Sequence, residues 1–121
     1  MGSNLVTITV MSGGEDGNMF RLRQFPTILG RHPDDDVYLS HERGLSRHHA
    51  KITHDGASFF IEDVGATGKG STNGTIINNL RINTRSILSD GDILLLGSVR
   101  LRFNIKEDAS PNSQYSEDED K

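Results

Sequence analysis

Three short polar stretches hold the side chains best suited to gripping an anion: Gly30-Arg31, Gly44-Leu45-Ser46-Arg47-His48-His49, and Ser71-Thr72-Asn73-Gly74-Thr75. Arginine presents a rigid fork of donors that matches phosphate or carboxylate, and hydroxyls with glycine-rich backbone add short donors around the same ion. If the three stretches converge, Arg31, Ser46, Arg47 and Thr72 form such a set. Other chemistries fit less well. His41, His48, His49 and His54 are numerous enough for a metal, but no standard ligand spacing is present and adjacent residues cannot share a strand face, so no metal site is expected. A Ser46, His49 and Asp63 hydrolase triad can be composed on paper, yet nothing around Ser46 resembles a nucleophile elbow. The run GATGKGST, residues 65–72, superficially suggests a nucleotide-binding loop. Only two residues separate Gly65 from Gly68-Lys69, and Gly70 rather than a hydroxyl residue follows the lysine, so the motif fails.

The chain of 121 residues has room for one ordinary domain. Its apolar residues, 33% of the total, fall in short clusters from Leu5 to Ile105, which is globular composition over most of the length. The absence of Cys excludes disulfide frameworks, thiolate metal sites and a cysteine nucleophile. MGSNLVTITV has neither a basic leader nor a long apolar run, so no signal peptide or membrane span is expected. An intracellular location, nucleus or cytoplasm, is the default expectation. Asn73-Gly74-Thr75 matches a glycosylation acceptor, which is irrelevant without secretion. The net charge of −4 is a property of the C-terminal end. Residues 107–121 carry six carboxylates against Lys121, leaving +1 for residues 1–106, so a broad nucleic-acid surface is not supported.

Period-two alternation dominates the elements that must position these residues. Val6, Ile8 and Val10 alternate with threonines, and Val99, Leu101, Phe103 and Ile105 alternate with Arg100, Arg102 and Asn104, so the domain begins and ends in half-buried strands. Shorter strands are predicted over 19–23, 27–29, 37–39, 50–53, 58–62, 75–78, 86–88 and 93–96. Turn signals at Gly13-Gly14, Asp55-Gly56, Asn73-Gly74 and Asp90-Gly91 punctuate them. No window keeps an apolar face at helical spacing, so the expectation is an all-β sandwich or barrel. Residues 63–75 form a long glycine-rich loop. Residues 107–121 lack the apolar area to offset the entropy of ordering and are expected to be a disordered acidic tail, either simply solvated or regulated through Ser116; the folded domain spans 5–106.

Gly30-Arg31, Gly44 to Ala50, Asp63-Val64-Gly65 and Ser71 to Thr75 with Asn78, in that order, resemble the forkhead-associated (FHA) domain family. The resemblance covers roughly residues 5–105. It implies an FHA-like sandwich of about eleven mostly antiparallel strands with binding loops at one end. It also implies a non-catalytic module, without cofactor, that binds phosphothreonine peptides produced by a Ser/Thr kinase and so serves phosphorylation-dependent assembly or signalling. Carried over by position, Arg31, Ser46, Arg47 and Thr72 contact the phosphate and Asn73 the peptide backbone. Gly30, His49 and Gly74 support the loops, and Lys69, Ser71 and Asn78 are peripheral. A dianionic phosphate rewards several short donors in one concavity, and a carboxamide suits an extended backbone. The chain departs from the family by inserting Ala66-Thr67-Gly68-Lys69-Gly70 beside the expected site, where Lys69 is either a further contact or a solvated cation. His48, as the neighbour of His49, is expected to face solvent. The alternative function is a structural or oligomerising sandwich without phosphate dependence; no nucleic acid or membrane partner is expected, and a monomer is the default.

Overall fold

The computed structural model describes residues 4–14, 16–40 and 42–107. They form eleven strands: β1 Asn4–Val10, β2 Met19–Arg21, β3 Thr27–Gly30, β4 Val37–Tyr38, β5 Ala50–His54, β6 Phe59–Asp63, β7 Thr75–Ile77, β8 Leu80–Arg81, β9 Ser86–Leu88, β10 Ile93–Leu96 and β11 Val99–Glu107. No helix occurs among the described residues. One sheet has the order β2-β1-β11-β10-β7-β8 and the other β4-β3-β5-β6-β9. All pairings are antiparallel except β3 with β4, where Leu29 and Gly30 lie beside Val37 and Tyr38 in parallel. The acidic segment expected to follow the domain lies outside the described residues from 108 onward, and β11 carries the fold one residue past the expected boundary.

The alternation of the first and last strands does what its period requires. Val6, Ile8 and Val10 of β1 and Val99, Leu101 and Phe103 of β11 all point into the space between the sheets, with Ile8 opposite Phe103 and Val10 opposite Leu101. From the second sheet Leu29, Ile52 and Ile61 meet them, all fully buried. Phe59 sets its ring edge-on to Phe103 at 5.7 Å between centroids. A register slip of one residue would expose every one of these side chains, so the hydrophobic pattern specifies the pairing. The strand absent from the sequence expectations is β8. Its two residues are both exposed, so burial imposes no pattern on it.

Register also gathers the polar loops. Leu29 pairs with Ala50, and Ala50 pairs with Asp63. The C-terminal end of β3, the N-terminal end of β5 and the C-terminal end of β6 therefore lie in one row, and the segments carrying Arg31, His49 and Val64 leave the sheet side by side. The opposite sheet reaches the same end through Thr75, whose hydroxyl donates to Asp63 Oδ1 at 2.8 Å.

Candidate functional site

Gly30 ends β3 against the backbone of the loop before β5. A Cβ there would lie 2.6 Å from His48 N and 2.9 Å from His49 N, so only glycine lets the two segments touch. That contact brings Arg31 beside Ser46. Arg31 N–H donates to Ser46 O (3.2 Å), and its Nε donates to Leu45 O (2.9 Å). With Nε committed, the guanidinium is held by its stem and its terminal nitrogens remain for another acceptor. Ser46 Oγ accepts from Thr72 N–H (3.1 Å), so the hydroxyl proton is left to donate elsewhere.

His49 supplies the tie between the loops. Its Nδ1 accepts from Ser46 N–H at 3.0 Å, which places the ring proton on Nε2, and Nε2 donates to Gly74 O at 2.8 Å. The ring has no solvent exposure. Burial holds it below the usual histidine range, while the Gly74 carbonyl and the Asp63 carboxylate pull the other way. His49 is thus a neutral brace between the 44–49 and 71–75 segments, and the geometry is not that of a hydrolase relay: the serine presents its backbone rather than its hydroxyl to the ring.

Asp63 is a second brace, and reasoning from the sequence assigned it no part in positioning the site. Its carboxylate accepts from Ser71 N–H (2.9 Å), Ser71 Oγ–H (2.5 Å) and the Thr75 hydroxyl. Desolvation pushes its pKa up, but these hydrogen bonds, with His49 3.8 Å away, outweigh it and keep the carboxyl below its ordinary range. Ser71 Oγ in turn accepts from Gly74 N–H (2.9 Å), shaping the 71–74 turn. Gly74 has a φ of +86°, and a Cβ there would meet the Arg81 guanidinium at 2.8 Å.

These braces leave a concavity of about 250 Å³ lined by Arg31, Arg43, Gly44, Leu45, Ser46, Arg47, Ala66, Thr72 and Asn73. Five residues expected to contact ligand, Arg31, Ser46, Arg47, Thr72 and Asn73, come together there. Asn73 Nδ2 donates to Gly44 O (2.8 Å), so one of its amide hydrogens already braces the wall, and a second N–H and the carbonyl oxygen remain. The peripheral residues Lys69, Ser71 and Asn78 do not line the concavity. Ser71 is engaged by Asp63. Asn78 holds the turn after β7, donating to Asp92 Oδ1 and accepting from Ile93 N–H, each at 2.9 Å. The inserted segment closes on itself through Gly70 N–H to Val64 O (2.7 Å) and brings Ala66, not Lys69, to the edge of the concavity.

His48 is partly exposed, its side chain 41% accessible, but the reason expected for it does not hold. The strand starts at Ala50, two residues later, so strand alternation does not apply at His48, which takes a left-handed φ of 50°. Its N–H donates to the buried Asp35 carboxylate at 3.0 Å, its Nδ1 contacts the same carboxylate, and its ring packs on His32 at 4.8 Å. Asp35 also accepts from His32 N–H (3.0 Å), tying together the segments on either side of Arg31 and Arg47. Among the described residues, no group of three or more His, Cys, Asp or Glu is placed to hold a metal ion.

Comparison with known proteins gives a consistent set of likenesses. The family model of the FHA domain matches residues 27–97. The oxoglutarate dehydrogenase inhibitor of Corynebacterium jeikeium is 38% identical over 96 residues, covering 79% of this chain and 62% of the relative. The glycogen accumulation regulator GarA of Mycolicibacterium smegmatis is 36% identical over 101 residues, covering 84% of this chain and 60% of the relative. The chain therefore spans about three-fifths of the length of these curated relatives. Among solved structures, an FHA domain from a study of phosphothreonine-dependent FHA domain interactions superposes with a TM-score of 0.70 at 32% identity, covering 83% of this chain and 95% of that one. The FhaA FHA domain, solved in complex with the intracellular domain of Rv3910, gives a TM-score of 0.69 at 32% identity, covering 82% of this chain and 99% of that one.

Proposed function

The chain belongs to the FHA domain family, and on that premise we propose that the concavity at its loop end binds phosphothreonine peptides as a non-catalytic recognition module. The observation that carries the reading is the state of the donors. Arg31 is anchored through Nε with its terminal nitrogens unspent, and Ser46 accepts from Thr72 N–H with its own proton unspent. A phosphate carries about −1.5 to −2 charges and three strong acceptors near neutral pH, which suits two or more guanidinium groups and a hydroxyl set around one small space. Arg31 is the principal phosphate contact, Ser46 and Thr72 add short donors, and Arg47 adds a second guanidinium. Asn73 reads the peptide backbone with the amide hydrogen and carbonyl oxygen that the wall contact leaves over. Gly30, His49 and Gly74 hold these groups in place. The partner is a protein modified by a Ser/Thr kinase, and the module brings it to whatever assembly this chain serves. The solved relatives support the reading by their own subjects: one concerns phosphothreonine-dependent FHA interactions, and another is EmbR of Mycobacterium tuberculosis in complex with a phosphopeptide.

Calorimetry with a phosphothreonine peptide library tests it. Binding by the folded domain should exceed that of the unphosphorylated controls, and equal binding would overturn the proposal. Arg31→Ala removes charge-assisted hydrogen bonds worth about 1.5–3 kcal/mol each, an expected loss of at least about tenfold in affinity. The same change sacrifices only the exposed side chain's bond to Leu45 O, about 1 kcal/mol, so the unfolding midpoint should fall by only a few degrees.

A further inference from the structure

We infer that the outer face of the six-stranded sheet is a basic docking surface whose occupant is the chain's own acidic run, Glu117 to Asp120, laid back along β11. The inference does not depend on the phosphothreonine reading. The period-two pattern that buries Val99, Leu101 and Phe103 sends Arg100, Arg102 and Lys106 of the same strand outward, where all three are exposed. Register sets Asn104 beside Thr7 and Thr7 beside Arg21, so the exposed Arg21 of β2 belongs to the same face. Arg21, Arg100, Arg102 and Lys106 thus stand on three neighbouring strands. None of them has an ion-pair partner among the described residues.

A shallow groove of about 440 Å³ crosses this face, its lining including Thr7, Thr9, Met19, Asn104 and Lys106. The carboxylate in it, Asp90, is spent on the scaffold. It accepts from Ile105 N–H (2.8 Å) and Asn104 Nδ2 (3.2 Å), and these bonds, followed by the Arg102 charge, hold it below the ordinary carboxylate range. Arg102 is therefore partly answered, while Arg21, Arg100 and Lys106 are not. The outer face of the five-stranded sheet differs. There Lys51 pairs with Glu62 at 3.4 Å, and Arg85 lies over the Phe60 ring at 4.1 Å.

Charge and reach select the occupant. Residues 108–121 carry Asp108, Glu117, Asp118, Glu119 and Asp120 against Lys121, and they continue the strand that holds three of the four cations. Arg102 and Arg100 lie about 17 and 23 Å back from Glu107 at about 3.3 Å per residue, and Arg21, two strands across, about 14 Å away. The chain between Glu107 and Glu117 extends to about 33 Å, so the acidic run reaches all of them. Single exposed ion pairs contribute little, and the seat rests on several of them formed at once by a tethered segment. Tethering sets an effective concentration of order millimolar, so a separate polyanion competes for this face at a disadvantage. The segment thereby shields the basic sheet from other acidic partners.

The test uses the whole chain. It has no Cys, so Ser116→Cys carries a single nitroxide beside the acidic run, and amide NMR intensities report which face the label visits. At about 0.01 M salt, where the Debye length is about 30 Å, the amides of Thr9, Leu95, Arg100 and Arg102 should lose more than about half their intensity, and at about 1 M, where it is about 3 Å, they should regain it. Lys51 and Phe60, on the other sheet, should keep theirs. Two variants should each cut the low-salt loss by at least about twofold: R100Q with R102Q, both exposed positions, and E117Q, D118N, E119Q and D120N together. Equal loss on both sheets, or loss that neither salt nor these variants relieve, would overturn the inference. So would loss transmitted to an isotope-labelled chain from a separate spin-labelled one, which assigns the face to the acidic run of a second copy. Loss at Ser46 and Thr72 that a phosphothreonine peptide reverses would place the run in the loop concavity instead, and would also overturn it.

Discussion

His49 joins the two loop segments that frame the concavity, and its removal should act on stability and binding together. His49→Ala strands Ser46 N–H, leaves the Gly74 carbonyl with only its 3.3 Å bond from Gly97 N–H, and empties the space of a ring with no solvent exposure. The orphaned N–H costs about 1–3 kcal/mol and the cavity left by a fully buried ring about 2–3 more, so the expected loss is about 3–5 kcal/mol. At about 4–8 °C per kcal/mol for a domain of this size, the unfolding midpoint should drop by at least about 12 °C. The same residue sets a pH dependence whose sign follows from its burial. The ring titrates below its ordinary value of 6.5 when folded, so on acidification the unfolded chain takes up the proton first. The contribution of His49 is therefore complete above pH 6.5 and is lost as pH falls below it, by up to about 1.4 kcal/mol per pH unit until the folded ring protonates. Asp63 acts in a separate window. Its depressed value preserves a contribution above the ordinary 3.8 that is lost only as pH falls below it. Circular-dichroism melts at pH 7 and about pH 5.5, on the parent and on His49→Ala, with phosphopeptide titrations at pH 7, measure all three consequences. A variant that melts within about 5 °C of the parent, or keeps the parent's full acid-induced fall in midpoint, would refute the role given to the ring.

Gly30→Ala would set a Cβ 2.3 Å from Asp35 Oδ2 and 2.6 Å from His48 N, and the backbone atom cannot swing away. A loss of about 2–3 kcal/mol in urea unfolding is expected, with phosphopeptide affinity reduced because Arg31 and Ser46 are displaced relative to each other. Phe103→Ala empties the centre of the core between β1 and the Phe59 ring and should cost about 3–5 kcal/mol. Below its lowered midpoint, that variant should bind phosphopeptide as the parent does, as a calorimetric titration on the folded protein would check.

The loops that meet in the concavity are held by bonds of long sequence separation: Arg31 to Leu45, Ser46 to Thr72, Gly44 to Asn73 and His49 to Gly74. None of these pairs lies within one local element, and each depends on the row made by Leu29, Ala50 and Asp63. The sheet is thus the device that turns three separated motifs into one site, and the buried polar groups Asp35 and His49, with the partly covered Asp63, keep the loops from relaxing apart.

By itself the sequence determined the strands whose period-two pattern has a buried face, because burial of one face writes itself into every second residue. β1, β10 and β11 and the segments around β3, β5, β6, β7 and β9 were legible for that reason, and β8, with both residues exposed, was not. The order of glycine, arginine, serine, histidine and asparagine motifs was equally legible, and with it the family. Tertiary structure alone decided which polar residues share a space. Arg43 lines the concavity while Lys69, Ser71 and Asn78 do not, and Ala66 is the residue that the insertion contributes. It also decided that His48 turns onto Asp35 and that Asp63 organises the 71–75 segment. The physical reason is that spacing along a chain reports local period, whereas a binding site is a coincidence in space, fixed by strand register and by hydrogen bonds between residues far apart in sequence.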